Sequence, residues 1–202
     1  MLELNLVQSM AIGIVFSAVS YFLTPVMIYV ANKFNIVDQP NQAHKTHIKP
    51  VPYLGGFAIA LPLSLAVLSL PLYVKSYYLP YQEFLGFIVV PLALSIIGAI
   101  DDWKQLGAIP RLIVQVVSSV ILLLSFLSEK WFGNAFNNSA LNFAISLFWL
   151  VGITNSLNFF DNLDGGAAGF TVIASLSTFI LACFSRQYSV ALMAISLCGS
   201  CL

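Results

Sequence analysis

Apolar runs long enough to cross a bilayer, which takes about 20 residues as a helix, recur along the whole chain. They fall at residues 4–31, 53–74, 83–100, 111–128, 141–157 and 167–185, and a seventh begins near residue 188. The polar residues gather between these runs instead of alternating with apolar ones. The pattern predicts an all-α, polytopic membrane bundle of about six complete spans plus a partial seventh. Residues 1–202 then form a single transmembrane domain. Thr24-Pro25 within the first run, and Pro62 and Pro91 within the second and third, are places where a kink is expected. The first run has no Lys or Arg before it and is too long for a signal-peptide core, so it reads as a retained span.

Composition sharpens the class. Of the 202 residues 59% are hydrophobic and 8% charged, where a soluble domain carries about 25% charged residues. Mean hydropathy is +0.93. Net charge is zero, and no basic stripe is available to neutralise a run of phosphates, which argues against nucleic acid as a partner. Cys183, Cys198 and Cys201 all lie in the last apolar stretch. The "CGSC" spacing has no second pair and no nearby histidine, so these cysteines read as small apolar helix residues.

The loops differ by side. Odd loops hold Lys33, Lys45, Lys49, Lys104 and Arg111, and even loops hold Lys75, Lys130 and Arg186. The positive-inside rule then puts the odd loops in the cytoplasm and the N-terminus outside. The aspartates Asp38, Asp101, Asp102, Asp161 and Asp164 all fall on the odd side, while Glu3, Glu83 and Glu129 fall on the other. Acids do not set topology, so a one-sided set of aspartates at span ends points to a site on the cytoplasmic face.

Three polar clusters occupy that face. "DQPNQAHKTHIKPVPYLGG", Asp38 to Gly56, holds both histidines and three prolines that favour an extended, stiff loop. It reads either as a basic loop that holds phosphates or as an ordinary positive-inside anchor; zinc ligation by His44 and His47 fits poorly. "GAIDDWKQLGAIPRLIVQ", Gly98 to Gln115, ends an apolar span in two adjacent carboxylates. Such neighbours repel, and want a metal, a cation or a shared proton, unless the segment is simply a solvated turn. Arg111 and Gln115, four apart, share a face of the next helix. "NSLNFFDNLDGGAAG", Asn155 to Gly169, sets Asn155, Asn158, Asp161 and Asp164 at three-residue steps. Each step turns a helix by about 300°, so the four converge only if the helix ends, and Asn162, Gly165 and Gly166 are the residues to end it. Capping and Asx-turn chemistry is the bland alternative. The inventory of carboxylates, amides and basic groups suits a divalent cation bridging anionic phosphates, with Mg²⁺ the ion that prefers oxygen ligands.

These pieces, in their order and at their separations, resemble the polyprenyl-phosphate N-acetylhexosamine-1-phosphate transferases of glycosyltransferase family 4, which include the MraY translocases. The resemblance covers nearly the whole chain. The first piece, with a histidine before P-x-P-x-x-G-G, is more similar to the WecA/TagO branch. The resemblance implies transfer of a sugar-1-phosphate, GlcNAc-1-phosphate in that branch, from a UDP-sugar to undecaprenyl phosphate. UMP is released, at the cytoplasmic face of the bacterial inner membrane, to start a cell-wall polymer, O-antigen or other polysaccharide. It implies Asp101, Asp102, Asp161 and Asp164 as catalytic residues. Lys45, His47, Arg111 and Asn155 are implied as substrate-binding, and Asn158 and Asp161 as ligands of Mg²⁺, with Mn²⁺ as the alternative ion. The bilayer and the two substrates are the partners, and a homodimer is compatible with the family.

Two departures stand out. Family members commonly read D-G-x-D-G followed by a large apolar residue, where this chain has Asn162 and Gly166. The family also continues into a further aspartate-bearing loop and a histidine-rich loop that the 202 residues do not contain, so the chain reads as a C-terminally truncated member and is expected to be inactive alone. Outside the family, an intramembrane cation-site transporter or a non-catalytic remnant would also gather polar groups, though a transporter places them near the midplane and here they sit at span ends.

Lys49→Cys, Lys104→Cys and Asn162→Cys are expected to react in intact cells only with a membrane-permeant thiol reagent. Rapid labelling of all three by an impermeant reagent would reverse the topology and remove the cytoplasmic site with it.

Overall fold

The computed structural model describes residues 6–38, 51–73, 81–104, 106–125, 136–160 and 165–202, with the side chains of all of these except 6, 7, 38, 71–73, 81–85 and 102. Over these residues the chain forms α1 (Leu6–Lys33), β1 (Val37–Asp38), β2 (Val51–Pro52), α2 (Gly55–Tyr73), α3 (Tyr81–Lys104), α4 (Ala108–Ser125), α5 (Ser139–Phe160), α6 (Gly166–Phe184) and α7 (Tyr188–Cys201). The helical membrane architecture expected from the apolar runs is the one found. By length and composition α1, α4, α5 and α6 can each cross a membrane, and α2, α3 and α7 contain the shorter apolar stretches Gly55–Leu70, Gly86–Asp101 and Tyr188–Cys201. Pro25, Pro62 and Pro91 lie inside helices that continue on both sides of them.

Helix ends follow local chemistry. Asn35, at φ 55°, terminates α1: the Ile36 amide reaches back to the Ala31 carbonyl at 2.8 Å, the closure that a left-handed residue after a helix permits. Arg186, at φ 56°, does the same after α6, with Gln187 N–H donating to Ala182 O at 2.8 Å. Asn138 caps the start of α5, its side-chain oxygen accepting from Leu141 N–H at 3.1 Å.

The odd loop after α1 departs from a purely helical plan. Val37 pairs with Pro52 and Asp38 with Val51 in an antiparallel ladder. Pro52 has no N–H to give, and a short edge strand is where a proline is tolerated. β1 touches α3, and β2 touches α1. Lys45 and His47 lie between the two strands, outside the described residues.

α7 is the most enclosed helix. It packs on α1, α2 and α6, while α3 bridges α2 to α4, and α5 lies against α4. Ile12, Val67, Leu70 and Leu192 form the apolar centre of this packing, and Phe179, Ala182, Ala191 and Ala194 seat α7 on α6. Lipid tails are as apolar as these side chains, so helix association in a bilayer rests on close packing between small residues. Gly13 of α1 and Gly199 of α7 supply the closest approach: a Cβ added at Gly199 would collide with the Gly13 carbonyl oxygen. Beside it, the buried Ser20 hydroxyl lies 2.8 Å from Ser200 O on α7 and 2.9 Å from Ala58 O on α2, and its one proton serves these two carbonyls in turn. Cys198 is buried in α7, and Cys183, Cys198 and Cys201 are all free thiols.

Gly199→Ala is expected to destabilise the solubilised protein by about 1–3 kcal/mol, the usual cost of overpacking, because the atom it meets is backbone and cannot swing away. Gly152→Ala, where nothing lies within 4 Å of the added Cβ, should be neutral or mildly stabilising. Thermal unfolding in detergent compares the two, and equal melting temperatures would disprove the close approach.

Candidate functional site

α4 carries Arg111, Gln115, Ser118 and Ser119 at spacings of four, seven and eight, a single stripe on a 3.6-residue helix. Gln115, Ser118 and Ser119 are buried. The outer face of α4 is apolar, with Ile109, Ile113 and Val117 exposed. This helix is thus polar on the side that meets its neighbours and greasy on the other, the arrangement a bilayer enforces on a span that must carry polar groups.

The stripe collects partners from both sides. From α3, Asp101 Oδ2 lies 3.3 Å from Arg111 Nε, with the Asp101 side chain 13% exposed and that of Arg111 38%. The pair straddles the short turn between Lys104 and Ala108. Each charge sits at the wrong end of its own helix. A carboxylate in the last turn of α3 faces the negative pole of that helix, and a guanidinium in the first turn of α4 faces a positive one, each a penalty of about 0.3–1 kcal/mol. Each therefore offsets the other. The second carboxylate oxygen, Asp101 Oδ1, is buried with no hydrogen-bond partner among the described residues. An unpaired buried carboxylate oxygen is costly, and such atoms in a polar cluster mark sites made for something else to bind.

From α5, Asn155 Nδ2 donates to Gln115 Oε1 at 2.7 Å and to Val151 O at 2.9 Å. Arg111 and Gln115 are one turn apart, about 6 Å along the axis, so α4 holds Asp101 and Asn155 on adjacent rungs of one face. Asn158 lies a further turn toward the end of α5 and is exposed. α5 then stops at Phe160, and α6 begins at Gly166 after Gly165 in the left-handed region at φ 69°, which costs nothing without a Cβ. Of the residues expected to end the helix, Gly165 is non-helical and Gly166 opens α6, while Asn162 lies outside the described residues. Phe160 and Phe170 stack across the break with ring centroids 5.7 Å apart and planes 9° from parallel.

Of the residues singled out in the sequence, Asp101, Arg111 and Asn155 are thus drawn to one face of α4. Asp102 is in the last turn of α3 by its backbone, and its side chain lies outside the described residues, as do Asp161 and Asp164. Gln115 was paired in the sequence only with Arg111. Its bond to Asn155 is an inter-helix contact, for which the available signal was its place in the polar stripe.

Residues 84–202, more than half of the chain, match the model of glycosyl transferase family 4. The chain belongs to this family. Its similar relatives include a probable undecaprenyl-phosphate N-acetylglucosaminyl 1-phosphate transferase of Bacillus subtilis (strain 168), 29% identical over 183 residues, covering 88% of this chain and 49% of that one. A decaprenyl-phosphate N-acetylglucosaminephosphotransferase of Mycobacterium leprae (strain TN) is 26% identical over 210 residues, covering 95% and 52%. A phospho-N-acetylmuramoyl-pentapeptide-transferase of Caldicellulosiruptor bescii is 30% identical over 177 residues, covering 78% and 52%. The chain spans about half the length of the curated relatives it matches. Like the apolar helices, membership of family 4 marks it as a multi-pass membrane protein of a transferase family.

Arg111→Ala in this family 4 chain leaves the Asp101 carboxylate without its cation. The expected loss is about 1–2 kcal/mol, between the values for exposed and for buried pairs, and Asp101→Asn combined with Arg111→Gln should recover part of it. Thermal unfolding in detergent of Arg111→Ala and of the wild type, Asp101→Asn, Arg111→Gln and their double variant checks this, and strictly additive effects of Asp101→Asn and Arg111→Gln would refute the pairing.

Proposed function

We propose that this chain provides the transfer site of a polyprenyl-phosphate N-acetylhexosamine-1-phosphate transferase, with UDP-GlcNAc as donor and undecaprenyl phosphate as acceptor, at the cytoplasmic face of the bacterial inner membrane. The observation that carries the reading is the buried Asp101 oxygen, without a hydrogen-bond partner among the described residues, beside Arg111 at the mouth of two spans. The printed names of the relatives supply the reaction class. An oxygen of the lipid phosphate bonds to the β-phosphorus of the nucleotide sugar. The bond from that phosphorus to the bridging oxygen breaks, and UMP leaves with the electron pair.

The chain's own groups have distinct tasks in this reading. Arg111, with Nε engaged by Asp101, keeps its outer nitrogens for a phosphate oxygen and is held in place by the carboxylate. Lys45 would add a positive charge and His47 an imidazole donor, both from outside the described residues. Asn155 and Asn158 line the α5 side, and Asp102, Asp161 and Asp164 complete the acidic set. Lipid and nucleotide phosphates repel one another, so bringing them together and neutralising their charge is most of the catalytic work.

Mg²⁺ fits the donor set. The described residues bring only carboxylate, amide and hydroxyl groups to this face beside the guanidinium of Arg111, and among them no three His, Cys, Asp or Glu residues cluster. An ion held there would rest on a few protein oxygens plus substrate phosphates, which is how Mg²⁺ usually binds. Asn158 and Asp161 are the residues we assign to it, and when bound it would neutralise charge on the pyrophosphate oxygens.

UMP release from UDP-GlcNAc, measured on the intact protein in detergent, should require undecaprenyl phosphate and Mg²⁺. Asp101→Asn and Asp102→Asn should each lower it by about 100-fold or more, the scale on which one positioned electrostatic group contributes to catalysis. An intact protein that releases no UMP from any UDP-N-acetylhexosamine, or does so equally without lipid, would refute the proposal.

A further inference from the structure

A side-chain amide has two N–H donors and one carbonyl acceptor, and in Asn155 both donors are committed. One goes to Gln115 Oε1 at 2.7 Å and the other to Val151 O at 2.9 Å. Which end of an asparagine is nitrogen is ordinarily a matter of assignment, but here the neighbours decide it. A backbone carbonyl can only accept, so the atom facing Val151 O must be Nδ2. The atom of Gln115 that meets the same nitrogen must then be its oxygen. What Asn155 has left is Oδ1, which accepts no hydrogen bond among the described residues, on a side chain that is exposed. Gln115 is buried at 7% exposure, seven residues and about 10 Å into α4.

We propose that Gln115 is a positioning residue of the transfer site: its buried carbonyl locks the Asn155 amide so that Asn155 offers the ligand an acceptor oxygen, and the group it takes is an N–H or O–H of the nucleotide sugar, not a phosphate oxygen. The inference rests on the transferase reading above and deepens it. A phosphate oxygen at Oδ1 would set acceptor against acceptor. A uracil imide, a ribose hydroxyl, or a hydroxyl or acetamido N–H of the sugar would each meet it correctly. The charges and the amides thereby divide the substrate between them. The Asp101–Arg111 rung of α4 deals with phosphate, and the Gln115–Asn155 rung deals with the neutral, donor-bearing part. A leucine at 115 would leave the amide of Asn155 with one partner and free to turn its donors outward.

The test is calorimetric titration of UDP-GlcNAc and of UMP into the intact protein in detergent, for the wild type, Gln115→Leu, Asn155→Ala, the double variant and Gln115→Glu, each with Mg²⁺ and with EDTA. Gln115→Leu and Asn155→Ala should each weaken UDP-GlcNAc about tenfold, the scale of one net hydrogen bond. The double variant should bind no worse than Asn155→Ala, and Gln115→Glu, which keeps an acceptor oxygen, should stay within about threefold of wild type. An equal loss for UMP supports the inference with the donor on the uridine, and a loss confined to UDP-GlcNAc supports it with the donor on the sugar. If Gln115→Leu does not fold, Gln115→Met, nearer in shape, takes its place. A Gln115 effect that persists in the Asn155→Ala background overturns the inference, as does one seen only with Mg²⁺. A wild type that binds neither ligand sinks the transferase reading and this inference together, whereas binding without coupling sinks the inference alone.

Discussion

A hydrocarbon layer offers no hydrogen-bond partner, and every polar atom of a spanning helix has to find one inside the protein. Most hydroxyls do this within their own helix, although Ser20 reaches carbonyls of α2 and α7. Thr24, Ser64, Ser95, Thr154, Thr171, Thr178 and Ser196 each donate to the carbonyl four residues back in their own helix, so such residues tolerate any orientation. Side-chain amides, carboxylates and guanidinium groups have more atoms than one backbone carbonyl can satisfy. They are forced to reach across to another helix, and that necessity is what joins α3, α4 and α5. Asp101 meets Arg111, Asn155 meets Gln115, and the atoms that remain after these contacts are the ones available to a ligand.

The two flanks of the molecule are consequently held in different ways. Around α7 the association is mainly steric, with glycine against glycine and apolar side chains interlocked, and the Ser20 hydroxyl on Ser200 O adds one directed bond. Around α4 it is polar, directional and thinly packed. α5 has a single buried residue, Asn142, and turns Phe148 and Trp149 outward. A flank tied by a few directed bonds can adjust more readily than one held by steric interlock. Active-site elements are commonly drawn from the less heavily packed parts of a fold.

Much of this was legible in the residues. The apolar runs matched the helices to within a few residues, because helix length is fixed by bilayer thickness and hydropathy reports it directly. The break at Gly165 was readable from glycine chemistry, and Asp101 stood out from the cost of placing charge at a span end. What lies between helices was not legible. Gln115 opposite Asn155, and Gly13 against Gly199, depend on how two helices are rotated and offset, and no periodicity within either one encodes that. The β1–β2 ladder escaped because two-residue strands are too short to carry a pattern, and Val37 and Pro52 pair across a stretch of sequence that looks like ordinary loop.

The Asp101–Arg111 pair joins residues only ten positions apart on two consecutive helices. That closeness matters for how the protein enters the membrane. A charged residue near the centre of an inserting helix costs about 2.5–3.5 kcal/mol, less toward its ends. α3 and α4 can form the pair as soon as both have left the ribosome, with no help from helices still unmade. The hairpin then partitions into the bilayer with its carboxylate and guanidinium already neutralised. The two side chains that pair between α3 and α4 thereby let their own spans be inserted as a unit.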